Sequence, residues 1–214
     1  MSDIFLTEEL WNFPKVRFLK KFLIGHPGII AGGCFKSIFT DEKVHDIDMF
    51  FRNSSDYHTT VNYFKSRPEE YALGYENKNV QSFVHKDSQI RIECIRKIFG
   101  SPEDILKQFD FTIAKFAYEI EAEPADMGED GETEWTYTDT ILYHKQFFEH
   151  LCHKRLVVDD AMPYPVSTFN RTYKYAQSGF FPCRETKQKI IRAIREMPMT
   201  DEDALAEAMY EGHD

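Results

Sequence analysis

Residues 29–51 read IIAGGCFKSIFTDEKVHDIDMFF. An apolar run, Ile29 to Ala31, enters the glycine pair Gly32 and Gly33. Cys34 to Phe39 has the length of a short helix, and Val44 to Phe51 reads as the next strand. Side chains alternate along a strand, so Asp46 and Asp48 share one face while Ile47 and Met49 share the other. Two carboxylates about 7 Å apart on a strand packed by Val44, Phe50 and Phe51 repel each other unless a cation lies between them. The plainer account is a strand end whose polar face meets solvent. Against it, a divalent cation with oxygen ligands, Mg²⁺ or alternatively Mn²⁺, takes one or two carboxylates and completes its shell with substrate phosphates. Gly32 and Gly33 supply the phosphate side, because a turn without Cβ atoms lets a phosphate approach the backbone and the following helix start offers free amides. Lys36, one turn into that helix, adds a positive charge. The pair is not a P-loop, since G-x-x-x-x-G-K-[ST] is absent.

Outward from this stretch, strands and helices interleave. Residues 7–24 read as a helix, capped near Thr7, interrupted at Pro14 and ended by Gly25 and Pro27. Ser54 or Ser55 caps a helix over roughly 56–66. Strands follow near 70–75, 80–85 and 89–95, the last two forming an antiparallel hairpin around HKDSQ. Ser101 caps a helix over 101–109, with Pro102 at its first position. FDFTIAKFAYEI is strand-prone, and AEPADMGEDGETE, residues 122–134, reads as an exposed acidic loop. Helices return over 139–153, 166–177 and 184–196, with Gly179 and Pro182 between the last two. The order implies an α/β (α+β) core over residues 1–138 and a C-terminal helical region over 139–214.

The chain has 214 residues and a formal charge of -10, with 19 Phe and 11 Tyr, enough apolar mass for a sizeable core. The acids are concentrated in 119–134 and 196–214; elsewhere basic residues outnumber acids by about five. That distribution disfavours a general nucleic-acid binder and permits a locally positive cleft. No long apolar run implies a membrane span, and the four cysteines lack a C-x-x-C pair, so free thiols in the cytoplasm are expected.

The segment AGGCFKSIFTDEKVHDIDMFF resembles the nucleotidyltransferase superfamily, the DNA polymerase β-like fold. It is most similar to the head domains of CCA-adding enzymes and poly(A) polymerases, and to small nucleotidyltransferase-like proteins of viruses and bacteria. The resemblance implies a mixed central sheet with flanking helices, followed by a small helical region. It makes Gly32 and Gly33 the phosphate turn, puts Lys36 where such heads often carry Arg, and makes Asp46 and Asp48 metal ligands. It also implies a third acidic residue on a neighbouring strand. Asp110, between Phe109 and Phe111, is favoured over Glu93, which shares a strand face with Arg91 and can pair with it. By the same analogy Arg171, Lys174 and Tyr175, from the helix after the head, reach the triphosphate or base, unless they only cover their own helix. His144, His150, Cys152 and His153 read as partly exposed residues of an amphipathic helix rather than a zinc site. His26, near the glycines, is an ordinary loop histidine.

Two functions are compatible with these residues. One is Mg²⁺-dependent transfer of a nucleoside monophosphate from a nucleoside triphosphate to a hydroxyl on a small molecule, a protein or an RNA end, with release of pyrophosphate. The other is a catalytically inactive member of the same fold that senses a nucleotide or binds a partner, in phage, defence or toxin–antitoxin biology.

Overall fold

The computed structural model describes residues 4–127, 133–159 and 162–197. The described residues divide into two compact units: those within Met1–Leu106 and Phe116–Tyr143, and those within Lys107–Lys115 and His144–Asp214.

The first unit is built on one mixed sheet of eight strands. They are β1 (Phe5–Glu9), β2 (Ile29–Ala31), β3 (Asp46–Phe51), β4 (Tyr71–Glu76), β5 (Val80–His85), β6 (Arg91–Phe99), β7 (Phe116–Met127) and β8 (Thr133–His144), in the order β1-β8-β7-β2-β3-β6-β5-β4. β2 is antiparallel to both β3 and β7, whereas β3 and β6 run parallel. Helices α1 (Gly33–Phe39) and α2 (Ser54–Lys65) supply the crossovers. The alternation in β3 sets its faces: Ile47 and Met49 are fully buried, and their partners Ile92 and Cys94 on β6 are too. Asp46 and Asp48 point to the other, more open face. No helix among the described residues is long and apolar enough to cross a membrane.

Several local expectations are corrected. Thr7 does not cap a helix but lies in β1, and the following turns are 3₁₀ helices over Leu10–Asn12 and Pro14–Phe22. Pro14 starts the second of these, where a missing N–H costs nothing. The cap of α2 is Asn53, whose side chain accepts from the Asp56 N–H at 3.0 Å, not Ser54 or Ser55. The acidic stretch is strand up to Met127 and again from Thr133; residues 128–132 lie outside the described residues. Residues 139–144 are strand rather than helix. Ile141 and Tyr143 turn inward there, and Asp139 accepts from the Tyr118 hydroxyl at 2.6 Å and from Lys20 at 2.8 Å.

The second unit holds α4 (Phe147–Cys152), α5 (Pro165–Gln177) and α6 (Arg184–Glu196), with a two-stranded parallel ribbon of β9 (Arg155–Leu156) and β10 (Phe181–Pro182). The short helix α3 (Pro102–Lys107) precedes it; the Asp104 N–H bonds Ser101 Oγ while the Asp104 carboxylate reaches back to the Ser101 N–H, a reciprocal cap. The expected tail from Thr200 lies outside the described residues.

Candidate functional site

The parallel register of β3 and β6 sets Asp46 opposite Arg91 and Asp48 opposite Glu93. Neighbouring strands are about 5 Å apart, so Asp48 and Glu93 form a like-charge cross-strand pair. At that spacing the repulsion is on the order of 1–3 kcal/mol at the dielectric of a partly solvated surface. Arg91 reaches Asp46: its Nη1 lies 3.3 Å from Asp46 Oδ1, between two half-exposed groups. Glu93 accepts a hydrogen bond from Tyr75 of β4. Burial, with the Glu93 charge adding to it, pushes the Tyr75 phenol up to about 12, so it stays a donor at neutral pH. Arg91 also lies over the Tyr75 ring, 5.9 Å from its centroid.

The glycine turn abuts this edge, since Ala31 pairs with Asp48. Gly32 has φ 99°, a left-handed value that disfavours any side chain. Its N–H donates to the Phe116 carbonyl at 3.1 Å, which fixes the turn to β7. A Cβ added at Gly33 would meet nothing within 4 Å, so the start of α1 stands open. Cys34 is buried there; loss of solvent and the nearby Asp48 charge hold its thiol well above the usual range. Lys36 is buried rather than extended into this opening, and its Nζ lies 2.7 Å from Glu42. The structure thus gathers Gly32, Gly33, Asp46, Asp48 and Glu93. Tyr75 and the Arg91–Asp46 pairing went unforeseen, although the period-two pattern of β4 and β6 carried part of the signal.

Asp110 and Arg171 meet each other in the second unit. Asp110 is buried; Oδ1 accepts from the Phe111 N–H at 2.8 Å, and Oδ2 accepts from Arg171 Nε at 2.9 Å and Nη2 at 2.5 Å. Arg171 Nη1 donates to Ser167 at 3.1 Å. The Tyr175 ring packs edge-on against Phe111, and Lys174 is exposed in the last turn of α5. His144 ends β8 rather than lying on a helix, and both it and His150 are buried, contrary to the reading of partly exposed helical histidines. His150 Nδ1 pairs with the Thr112 hydroxyl at 2.8 Å.

Among the described residues, no group of three or more His, Cys, Asp and Glu side chains converges as an all-protein metal cage. Asp48 and Glu93 carry oxygen donors of the kind Mg²⁺ takes one or two of, drawing the rest of its shell from water and phosphate.

Comparison with known proteins matches residues 9–154 to the Gabija anti-defense 2 family. The chain belongs to this family. A Gabija anti-defense 2 protein of Bacillus phage SPbetaL7 is 22% identical over 208 residues, covering 96% of this chain and 44% of that protein. Among solved structures, a CCA-adding enzyme with CTP superposes with a TM-score of 0.57 at 16% identity, over 96% of this chain and 49% of that one. The Thermotoga maritima CCA-adding enzyme complexed with tRNA gives 0.54 at 18% identity, over 98% and 51%. These likenesses establish a nucleotidyltransferase-like fold of the kind found in CCA-adding enzymes. The family member described here spans about half the length of these relatives.

Proposed function

We propose that this protein counters a bacterial defence of the Gabija type and that the Asp46–Asp48–Glu93 edge of its sheet handles a nucleoside triphosphate while it does so. The observation that carries this reading is the family match over residues 9–154, which contains the whole of that edge. The counter-defence role would be exercised in the cytoplasm of the host cell.

The chemistry proposed for the edge is nucleotidyl transfer. The open backbone at Gly33 would receive the phosphates, and Asp46 and Asp48, with Glu93, would hold Mg²⁺ or Mn²⁺. Such a cation, when bound, supplies neutralisation of phosphate charge. Glu93, held by Tyr75, would take the proton of the acceptor hydroxyl as that oxygen bonds the α-phosphorus. The bond from the α-phosphorus to the bridging oxygen breaks, and pyrophosphate leaves. Glu93 is preferred to Asp110 as third carboxylate because it lies beside Asp48 on the adjacent strand, whereas both Asp110 oxygens already accept hydrogen bonds. Arg171, committed to Asp110, is thereby reassigned to a structural role, and Lys174 stays a proposed phosphate contact. A protein of the defence system is the proposed acceptor.

A second reading keeps the partner and drops the turnover: the fold binds a nucleotide or a defence protein without transfer. The engagement of Lys36 by Glu42 and of Asp46 by Arg91 favours it, since both would have to let go before a triphosphate is clamped. Purified protein, each labelled nucleoside triphosphate, Mg²⁺ or Mn²⁺ and an extract of Gabija-bearing cells separate the two. Label transfer that Asp48→Ala abolishes supports the enzyme. Phage protection that survives Asp48→Ala, with nucleotide bound but unturned, supports the second reading. Equal phage plating on Gabija-bearing cells with and without the protein overturns both.

A further inference from the structure

A second cleft lies at the opposite end of β2 and β3 from the aspartates, and none of the transfer-site carboxylates lines it. It encloses about 730 Å³ between Gly25–Ile29, Arg52 and the β7–β8 hairpin. Its origin is a strand that stops short. β2 pairs with β7 only over Glu119, Tyr118 and Ala117, while β7 continues to Met127. Before Ile29 the chain leaves the sheet, because Pro27 has no N–H for a ladder and its carbonyl is taken by Thr60 of α2.

The ladder alternation tells which backbone groups face the vacated place. Gly32 N–H bonds the Phe116 carbonyl on the β2 side, and His144 N–H bonds the Lys115 carbonyl on the β8 side. In antiparallel pairing these directions alternate, so Ile120 and Ala122 turn their N–H and C=O toward the cleft. The Ile29↔Glu119 pair that ends the β2 ladder engages Ile120 with Gly28, so Ala122 is the first cleft-facing residue beyond that ladder. β3 ends at Phe51, one residue past its Ile29↔Phe50 pair, so the space is bordered by β7 on one side and by Gly25–Gly28 and Arg52 on the other.

The side chains around that place have a definite character. Glu119, Glu121 and Glu123 share one face of β7, and Asp56 adds a fourth carboxylate to the lining. The cation facing them is Arg52, whose Nη2 lies 2.9 Å from Glu119 and 2.8 Å from Glu121. His26, also in the lining, is neutral, since burial lowers it to about 4, and its Nε2 has no hydrogen-bond partner among the described residues. On the other face of the hairpin, Tyr137 pairs with Ala122 and Trp135 follows it, both rings well exposed.

We propose that this cleft receives an extended segment of a partner protein with Lys or Arg at alternate positions and apolar residues between them, its main chain paired to β7 at Ala122, where the β2 ladder has ended. Basic side chains meet the glutamate face, and the intervening ones lie against Ile120, Tyr137 and Trp135. Main-chain pairing gives affinity and the alternating pockets give specificity, as in other strand-addition complexes. The proposal goes beyond the nucleotide-handling reading and does not depend on it.

Trp11 and Trp135 are the two tryptophans of the chain, so a Trp11→Phe protein reports on the cleft through Trp135 emission alone. The full chain is titrated with the heptapeptide Lys-Val-Lys-Val-Lys-Val-Lys, with its Glu-for-Lys counterpart, and with an oligothymidylate. The expected result is a saturable change with the basic peptide only, weakened roughly tenfold or more by Glu121→Gln with Glu123→Gln and by added salt. Amide exchange at Ala122 slows on binding. No response, an equal response to the acidic peptide, or a response to the oligonucleotide overturns the proposal. Binding without protection of that amide overturns the main-chain pairing.

Discussion

Asp48 and Asp110 make an instructive pair, because each is an acid set among apolar neighbours. Asp110 is closed off: its two oxygens accept a backbone N–H and both donors of the Arg171 fork. Asp48 faces another carboxylate across the strand pair and an open glycine turn beside it. A buried charge whose acceptors are all used stabilises its own unit. Like charges held together by strand register are destabilising unless something from outside joins them. The same residue type therefore closes an ion pair in one place and stands in a like-charge pair beside an open turn in the other.

The largest test of this contrast is catalytic. Asp48→Ala should lower nucleotidyl transfer by roughly a thousandfold. Its thermal midpoint should hold or rise, because a repulsion has been removed. Loss of folding in that variant would break the comparison. Arg171→Ala should do the reverse and cost about 3–5 kcal/mol of stability in a urea titration, since it strands a buried carboxylate. Should Asp110→Asn leave stability intact and abolish transfer, the two acids have been assigned the wrong way round.

The next effect is one of pH. Burial lowers both His26 and His144 to about 4, below the ordinary value near 6.5. The unfolded chain therefore takes up protons first. Stability is fully present above pH 6.5 and is lost as pH falls toward 4, by on the order of 2–3 kcal/mol for each ring. Urea midpoints measured from pH 7.5 to 4.5 check this, and His144→Gln should flatten the slope. The smallest expected effect belongs to Tyr75→Phe. It removes the donor that holds Glu93 and should change transfer less than about tenfold, with an upward shift in the pH at which activity rises, because a carboxylate without its donor takes up a proton more readily. A thousandfold loss would make Tyr75 a participant rather than a positioning residue.

Much of the first unit was legible because its signals are local. The glycine pair marks a turn, and alternation in HDIDMFF sorts acids from core whichever strand lies next to it. Ser101 and Pro102 mark a helix start by hydrogen-bonding logic that needs no distant partner. The hairpin of β7 and β8 was missed although Thr136, Thr138 and Thr140 alternate plainly, because the acidic composition of the stretch outweighed its period. Residues 139–144 were read as helix for want of knowing that Tyr118 and Lys20 would claim Asp139.

The sequence by itself determined that two aspartates share a strand face beside a flexible turn, since both facts follow from backbone period and the absence of a Cβ. Which third carboxylate stands next to them was decided only in three dimensions. Register between β3 and β6 brings Glu93 to Asp48 across 45 positions of chain, and no local rule encodes it. The same holds for Arg171 closing on Asp110 and for the place left beside β7 where β2 ends. Each depends on which strand or helix becomes a neighbour, a choice that the packing of the whole core makes.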